Sequence, residues 1–395
     1  MAKPRDIVIA GAGLGGLTAA LALAARGFSV TVLERTEQLS EIGAGIQLSP
    51  NVSEVFDSLG LDSALAAIAC VPTAIDIHSG PTDRKISSVS LLPSSNHYRF
   101  PWRVIARAEL QNILAEAANA HPNIDLRLGT TVVDFVAGGD ELLLGTETRS
   151  GPTVLPAVAL IAADGVHSQL RKKIAHTTPA RPIGRTAWRA TLPARLAEQI
   201  VPNMRIGLWL GPEAHLVHYP IADGRIVNIV AIVSEDWKGV GWSEPGDHYW
   251  LAQRFANWAQ RPRRFIAAPA EWRKWAILAT DPDGPWTDGR VAILGDAAHA
   301  MPPFLAQGAA MAIEDGVVLA ACFSASPEDP AAAIRAYEVA RKPRVTAVFN
   351  AALRTGERYQ FSGTKAIVRD IVLRTAGQRL AFKNNDWIYG WKPDA

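Results

Sequence analysis

The 395-residue sequence predicts an α/β fold: a Rossmann-like, doubly wound nucleotide-binding domain, an antiparallel sheet inserted into it, and a helical C-terminal segment. Three observations carry this. Apolar runs at 7–10, 158–163 and 291–294 each end in a glycine-bearing turn, as buried parallel strands do at the ligand edge of a doubly wound sheet. Between about Arg185 and Val233 the pattern changes to strict alternation, the mark of half-buried antiparallel strands. From Pro330 to about Leu380 the spacing of apolar residues is helical.

The first run, Ile7-Val8-Ile9-Ala10, leads into Gly11, Gly13 and Gly16 in the order G-x-G-x-x-G. An alanine-rich helical pattern (17–26) and a second apolar run (30–33) closed by Glu34 follow. Strand, tight turn, helix, parallel strand and terminal acid together describe a dinucleotide site. Gly11 permits the turn, Gly13 lets the backbone approach a pyrophosphate, and Gly16 lets helix pack on strand. The first helical N–H groups face phosphate, and Glu34 can accept from a ribose hydroxyl. The motif does not separate NAD from FAD.

Gly43-Ala44-Gly45-Ile46-Gln47 marks a backbone that passes close to something, and a short helix (52–59) ends at Gly60. Strands are expected at 74–78 and 85–91, then a helix from Ala106 with Arg107 in its first turn. A cation there opposes the helix dipole, which favours a cofactor-facing role over pairing with Glu109. Strands at 124–128, 130–135 and 141–148 precede the buried strand that delivers Asp164-Gly165 to a turn, where Ser168 can cap a following helix. In the alternating region, 186–192, 205–210, 215–221 and 225–233 read as strands, the last two joined by an Ala222-Asp223-Gly224 hairpin. Period two puts His215, Val217 and Tyr219 on one face and His218 on the other. Helices at 247–259 and 262–268 and a strand at 272–278 follow. A strand ending in Gly295-Asp296 then leads through prolines and Gly308 into a long helix, Ala309 to about Phe323. Glu314 reads as a surface acid on that helix, and Arg189 as a surface cation on its strand. The aromatic tail around Trp387, Tyr389 and Trp391 is expected to dock on the body.

The net charge of +2, with no stripe of Lys and Arg, argues against nucleic acid as a main partner. Cys70 and Cys322, far apart and in no C-x-x-C pair, exclude a dithiol oxidoreductase and fit a reducing cytosol. No secretory signal is expected ahead of the first strand, and the run 157–163 is too short to span a bilayer. The expectation is a cytoplasmic protein with no membrane partner, a monomer or homodimer.

Gly11-x-Gly13-x-x-Gly16, Asp164-Gly165-x-His167-Ser168-x-x-Arg171 and Gly295-Asp296-Ala297-x-His299 together resemble the single-component FAD-dependent aromatic hydroxylases, in the same order and over almost the whole chain. Nearest in pattern are the 3-hydroxybenzoate 6-hydroxylase, salicylate 1-hydroxylase and 6-hydroxynicotinate 3-monooxygenase types. The resemblance implies an FAD-binding domain at 1–71, 101–183 and 272–325, a substrate domain at 72–100 and 184–271, and a C-terminal helical segment at 326–395. It implies FAD held by Gly11, Gly13, Leu14, Gly15, Gly16, Glu34, Arg35, Gly45, Gln47, Arg107, Asp164, Gly165, Asp296, Gly308 and Ala309. NADH or NADPH would bind transiently, since only one dinucleotide fingerprint is present. A flavin C4a-hydroperoxide formed with O2 would hydroxylate a small phenolic acid resembling 3-hydroxybenzoate or salicylate. His215, Tyr219 and Gln307 match catalytic pocket residues of the 3-hydroxybenzoate type, with Gln47 and Pro303 completing the substrate set. His215 would activate the phenol. Gln47 stands where the hydroxynicotinate enzymes carry histidine, which argues against a pyridine substrate. A halogenase is disfavoured because no Trp-x-Trp-x-Ile-Pro stretch is present. An epoxidase or hydroxylase of a larger apolar substrate would want a more apolar wall, and a non-catalytic flavin-binding redox sensor is the rival from another class.

Overall fold

A computed structural model describes residues 6–39, 45–92, 97–138, 141–174, 176–201, 205–239 and 241–393. Gly43 and Ala44 of the glycine-rich stretch lie outside the described residues. At the centre of the six-stranded sheet is β1 (Ile7–Ala10), with β2 (Val30–Glu34) and β7 (Ile124–Leu128) on one side. On the other side stand β11 (Ala159–Ala162), β19 (Val291–Ile293) and the edge strand β18 (Thr287–Asp288). Every pairing is parallel except β18 with β19. The residues of β1, β11 and β19 are buried throughout, so these strands read as continuous apolar runs rather than alternating ones.

Helix α1 (Leu14–Ala24) is buried along its whole length between this sheet, α4 (Arg107–Ala120) and α9 (Gly308–Ala325). Small residues permit that closeness: a Cβ on Gly316 of α9 would stand 2.7 Å from the Ala19 nitrogen of α1. Among the described residues α9 is the one helix long and apolar enough to cross a membrane. Its packing against α1, α2 (Pro50–Ser58) and α10 (Pro330–Tyr359) accounts for that apolarity by core burial.

An eight-stranded sheet forms the second layer, in the order β16 (Ser243–Pro245), β17 (Arg273–Ala279), β12 (Arg181–Pro193), β15 (Ile226–Ser234), β14 (Ala214–Ile221), β13 (Ile206–Gly211), β4 (Ala74–Ser79), β5 (Lys85–Ser90). It differs from the sequence expectation in two ways. It is mixed, because β4 arrives from the earlier segment and pairs parallel with β13. It also takes in β17, which the division at 272 assigned to the nucleotide-binding part but which pairs along β12. One face of this sheet packs Trp188, Trp209, Leu216 and Ile229 against α6 (His248–Arg254) and α7 (Gln260–Ala267). The other face meets the two-stranded ribbon of β3 (Gly45–Leu48) and β6 (Arg103–Ala106). There Gly45 is required, since a Cβ would stand 2.5 Å from the Tyr219 ring.

A third sheet, β8 (Thr131–Gly138), β9 (Glu141–Thr148) and β10 (Gly151–Ala157), lies beside the nucleotide domain. Strand β10 is not evident in the sequence because Pro152 and Pro156 interrupt it; both are tolerated because it is an edge strand. The C-terminal helical run is broken into α10 and α11 (Gly363–Lys383), with Gly363 at φ 56° starting the second. The short helices α3 (Asp62–Ile68), α5 (Ala194–Ala197), α8 (Asp296–His299) and α12 (Asp386–Tyr389) complete the chain. As expected, the tail docks: Tyr389 packs edge-on to Trp102 at 5.2 Å, and the Arg344 guanidinium lies 5.3 Å from the Trp391 ring.

Candidate active site

The glycine turn separates three jobs that its sequence runs together. Gly11, at φ 111°, has no room for a Cβ, which would fall 2.4 Å from the Ala163 carbonyl oxygen. A Cβ on Gly16 would fall 2.1 Å from the Gly11 oxygen. These two glycines close the turn on its own strand and on β11. Gly13 is different, because nothing lies within 4 Å of where its Cβ would be. It opens on a cavity of about 420 Å³ that Leu14, Gly15 and Gly16 also line. Glu34 lies behind the turn rather than in the cavity wall. Its Oε2 accepts from the Ala12 N–H at 2.9 Å and its Oε1 from the Thr36 N–H at 2.9 Å. Arg35 is exposed and also outside that wall.

Two further strand ends reach the same cavity. Beyond β11, Gly165 turns at φ 81° with open space before it. Asp164, itself behind the cavity wall, caps the next turn by accepting from the Gln169 and Leu170 N–H groups at 3.0 and 3.4 Å. Burial raises its carboxyl pKa. Ser168 accepts from the Arg171 N–H at 2.9 Å, at the start of a short 3-10 helix. Arg171 then donates to the Ala297 and Ala298 carbonyls at 2.8 and 2.7 Å, which ties this turn to the one after β19. There Gly295 sits at φ 63°, and Asp296 stands exposed at the cavity wall. Arg107 is half-buried and lines the cavity from the first turn of α4.

The sheet supplies the opposite wall. His215, Val217 and Tyr219 of β14 all face the cavity, as alternation requires. His218 faces the other way and stacks on Phe265 at 4.7 Å. His215 is buried, edge-on to Tyr359 at 5.2 Å and Phe304 at 5.7 Å, and its Nδ1 has no hydrogen-bond partner among the described residues. Burial first, and the positive charge of Arg185 second, push its pKa down to about 3. Burial likewise pushes the Tyr219 hydroxyl well above its ordinary value. Gln47, Pro303, Gly308 and Ala309 complete the rim, and the N-terminus of α9 opens into the space.

Gln307 lines the cavity but its amide is engaged elsewhere. Nε2 donates to Ser49 Oγ at 2.9 Å, and the oxygen accepts from Asn51 Nδ2 at 3.3 Å. Asn51 in turn donates to Glu314 at 2.8 Å. Glu314, read as a surface acid, is fully buried and held by Arg341 at 2.9 Å and Arg344 at 2.7 Å. The neighbouring Asp315 is equally buried, bonded to His299 at 2.6 Å and Arg341 at 2.7 Å, and those charges hold its carboxyl below its ordinary value despite burial. Arg189, read as a surface cation, is half-buried in the cavity wall with its guanidinium 5.2 Å from the Trp275 ring. Tyr359 and Tyr389, from the C-terminal segment, also line the cavity; nothing in the local sequence signals it.

A glycine turn, two further strand-end turns and two helix N-termini around one cleft define a nucleotide-cofactor oxidoreductase of the doubly wound type. The open ground before Gly13 and Gly165 fits a backbone approach by the cofactor's phosphates. Residues 5–352 match the FAD binding domain family, and the chain belongs to it. It is 32% identical to the 3-hydroxybenzoate 6-hydroxylase of Klebsiella oxytoca, over 100% of this chain and 98% of the relative. To 3-hydroxybenzoate 6-hydroxylase 1 of Aquipseudomonas alcaligenes it is 35% identical, over 98% of this chain and 97% of the relative. Among solved structures, HpxO of Klebsiella pneumoniae complexed with FAD and uric acid superposes with a TM-score of 0.85 at 25% identity, covering 98% of each chain. The protein is an FAD-dependent aromatic monooxygenase.

Proposed function

We propose that the enzyme uses NADH or NADPH and O2 to add one oxygen atom to a small phenolic aromatic acid of the 3-hydroxybenzoate or salicylate class. The observation that carries this is His215: a buried imidazole with an unpartnered Nδ1, in a half-apolar wall facing the cleft of the glycine turn. Bound FAD would supply the redox chemistry, passing reducing equivalents from the nicotinamide to oxygen. Gly13 and Leu14 would hold its pyrophosphate, Arg107 and Asp296 its middle, and Gly308 and Ala309 its ring end, while Glu34, outside the cavity wall, would fix the turn by holding the Ala12 N–H.

His215 is neutral when substrate arrives, so a ring nitrogen can accept the phenol's O–H. Its lowered pKa, set against a phenol's ordinary value of about 10, disfavours complete proton removal in the ground state. His215 therefore acts by holding the O–H in line and taking up positive charge as the ring gives up electron density, when the phenol has become far more acidic. Tyr219, kept protonated, offers a donor from the same strand face. Gln307 fixes the loop before α9 through Ser49 and Asn51 and closes the ring end against water. The same reading has the enzyme act in the cytoplasm as a monomer or homodimer, without nucleic acid or membrane, in keeping with its near-neutral charge.

Replacing His215 with Ala or Gln tests the assignment. Hydroxylated product per NADH consumed should fall far more than flavin content does. Coupling equal to wild type in both variants would refute it.

A further inference from the structure

Strand β14 divides the sheet side of the cavity into two apolar patches. On one side, Val230 and Ile232 of β15 belong to a cluster with Phe304. On the other, Ile206 and Leu208 of β13 belong to a cluster with Trp102, Tyr359 and Tyr389. Register fixes their order across the sheet. Val230 stands opposite Val217 of β14, Val217 opposite Leu208, and Ile206 opposite Ile75 of β4. All of these side chains line the cavity. From β15 through β14 and β13 to β4 the wall therefore extends roughly 14 Å at the usual strand spacing. His215 stands at the division, with one ring of each cluster edge-on to it: Phe304 at 5.7 Å and Tyr359 at 5.2 Å.

The two patches differ in what lies beside them. Phe304 belongs to the turn that leads to Gln307 and Gly308, at the end of the cleft assigned above to the flavin ring. The ring to be hydroxylated then sits on the Val230–Ile232 side. A one-ring acid held there by its hydroxyl at His215 leaves the β13–β4 patch uncovered. An apolar group laid on that patch leaves water and gains the dispersion contacts of a packed wall. A charged group laid there would lose its hydration to aliphatic side chains. Because the hydroxyl sits at the division, a group that crosses it must be attached to the ring carbon beside the hydroxyl.

We propose that the patch of Ile75, Ile206 and Leu208 is a second subsite of the substrate cavity, and that it takes an apolar substituent, an alkyl chain or a fused ring, borne on the carbon beside the substrate's hydroxyl. This rests on the phenolic-acid reading above and narrows its substrate class to ring-extended phenolic acids.

The test uses the FAD-loaded protein without nicotinamide. Perturbation of the bound flavin's visible spectrum gives Kd for 3-hydroxybenzoate and for two extended acids, 3-hydroxy-4-propylbenzoate and 4-hydroxy-2-naphthoate. Each extended acid should bind wild type at least roughly tenfold more tightly than the parent, the gain from burying a few further carbons. The isomer 3-hydroxy-5-propylbenzoate, with its chain away from the hydroxyl, should gain less than about threefold. Ile75→Phe and Leu208→Phe push a ring into the patch from two different strands. Both should remove the gain and leave the parent's Kd within about threefold of wild type. The proposal is overturned if either extended acid fails to gain, or if the 5-propyl isomer gains as much. It is also overturned if a Phe variant that holds FAD keeps the gain or weakens the parent acid as much as the extended ones. Should one Phe variant lose FAD, the other decides; should both lose it, the wild-type ranking of the two propyl isomers decides. Wild type binding none of the acids would bring down the phenolic-acid reading as well. Wild type that hydroxylates 3-hydroxybenzoate but shows no gain for the extended acids would remove the subsite alone.

Discussion

Substituting alanine at Gly13 and at Gly16 should separate the cofactor contact from the packing contact within one turn. At Gly13 the backbone is extended (φ −73°, ψ 178°) and nothing lies within 4 Å of the added methyl. Such a change constrains the unfolded chain without straining the folded one, so the apoprotein should gain about 0.4–1 kcal/mol. The same methyl enters the space where phosphate meets the backbone N–H groups. Losing one charge-assisted hydrogen bond of about 1.5–3 kcal/mol weakens FAD by roughly 10- to 100-fold. At Gly16 the methyl would fall 2.1 Å from a backbone oxygen, and helix α1, buried on all sides, has nowhere to retreat. That variant should lose about 3 kcal/mol or more of apoprotein stability, at the upper end of overpacking costs. Urea unfolding of the apoproteins and FAD titration by flavin fluorescence read the two effects. Wild-type FAD affinity in Gly13→Ala, or an unperturbed Gly16→Ala, would refute the division of roles.

Two further outcomes are expected. Glu314→Gln leaves Arg341 and Arg344 facing a neutral group at a fully buried site, and should cost about 3–5 kcal/mol in urea unfolding; a loss below about 1 kcal/mol would show that the pairs are not structural. His215 and His218 are both pushed down to about 3 by burial, so between pH 6.5 and 3 the unfolded chain binds protons that the folded chain does not. Stability from these groups is fully present above pH 6.5 and falls on acidification, by up to about 1.4 kcal/mol per pH unit for each histidine. Over pH 7 to 5 the apoprotein His215→Asn should lose less stability than wild type, and an unchanged slope would mean that His215 is solvated.

The parallel sheet and its three ligand-edge turns were legible because β1, β11 and β19 are buried on both faces and end in glycine. The facing of His215 against His218 was legible too, since a strand has only two sides. What escaped was information held across the chain. Glu314 looks like any helix acid until Arg341 and Arg344, 27 and 30 residues further on, fold over it. Arg189 alternates with the core residue Trp188, which assigns it to the other face of β12. Whether that face meets water or a cavity depends on the β3–β6 ribbon and the C-terminal tyrosines, which no local pattern encodes. Gln307 lines the cavity, yet its amide is engaged by Ser49 and Asn51, more than 250 residues earlier.

The most direct measurement is NADH oxidation by the FAD-loaded wild-type protein with 3-hydroxybenzoate, followed by mass analysis of the product. The enzyme is expected to oxidise NADH faster with the acid than without it, and to return the acid with its carboxyl intact and one added oxygen atom. A yellow protein whose NADH oxidation no hydroxybenzoate stimulates would contradict the central claim.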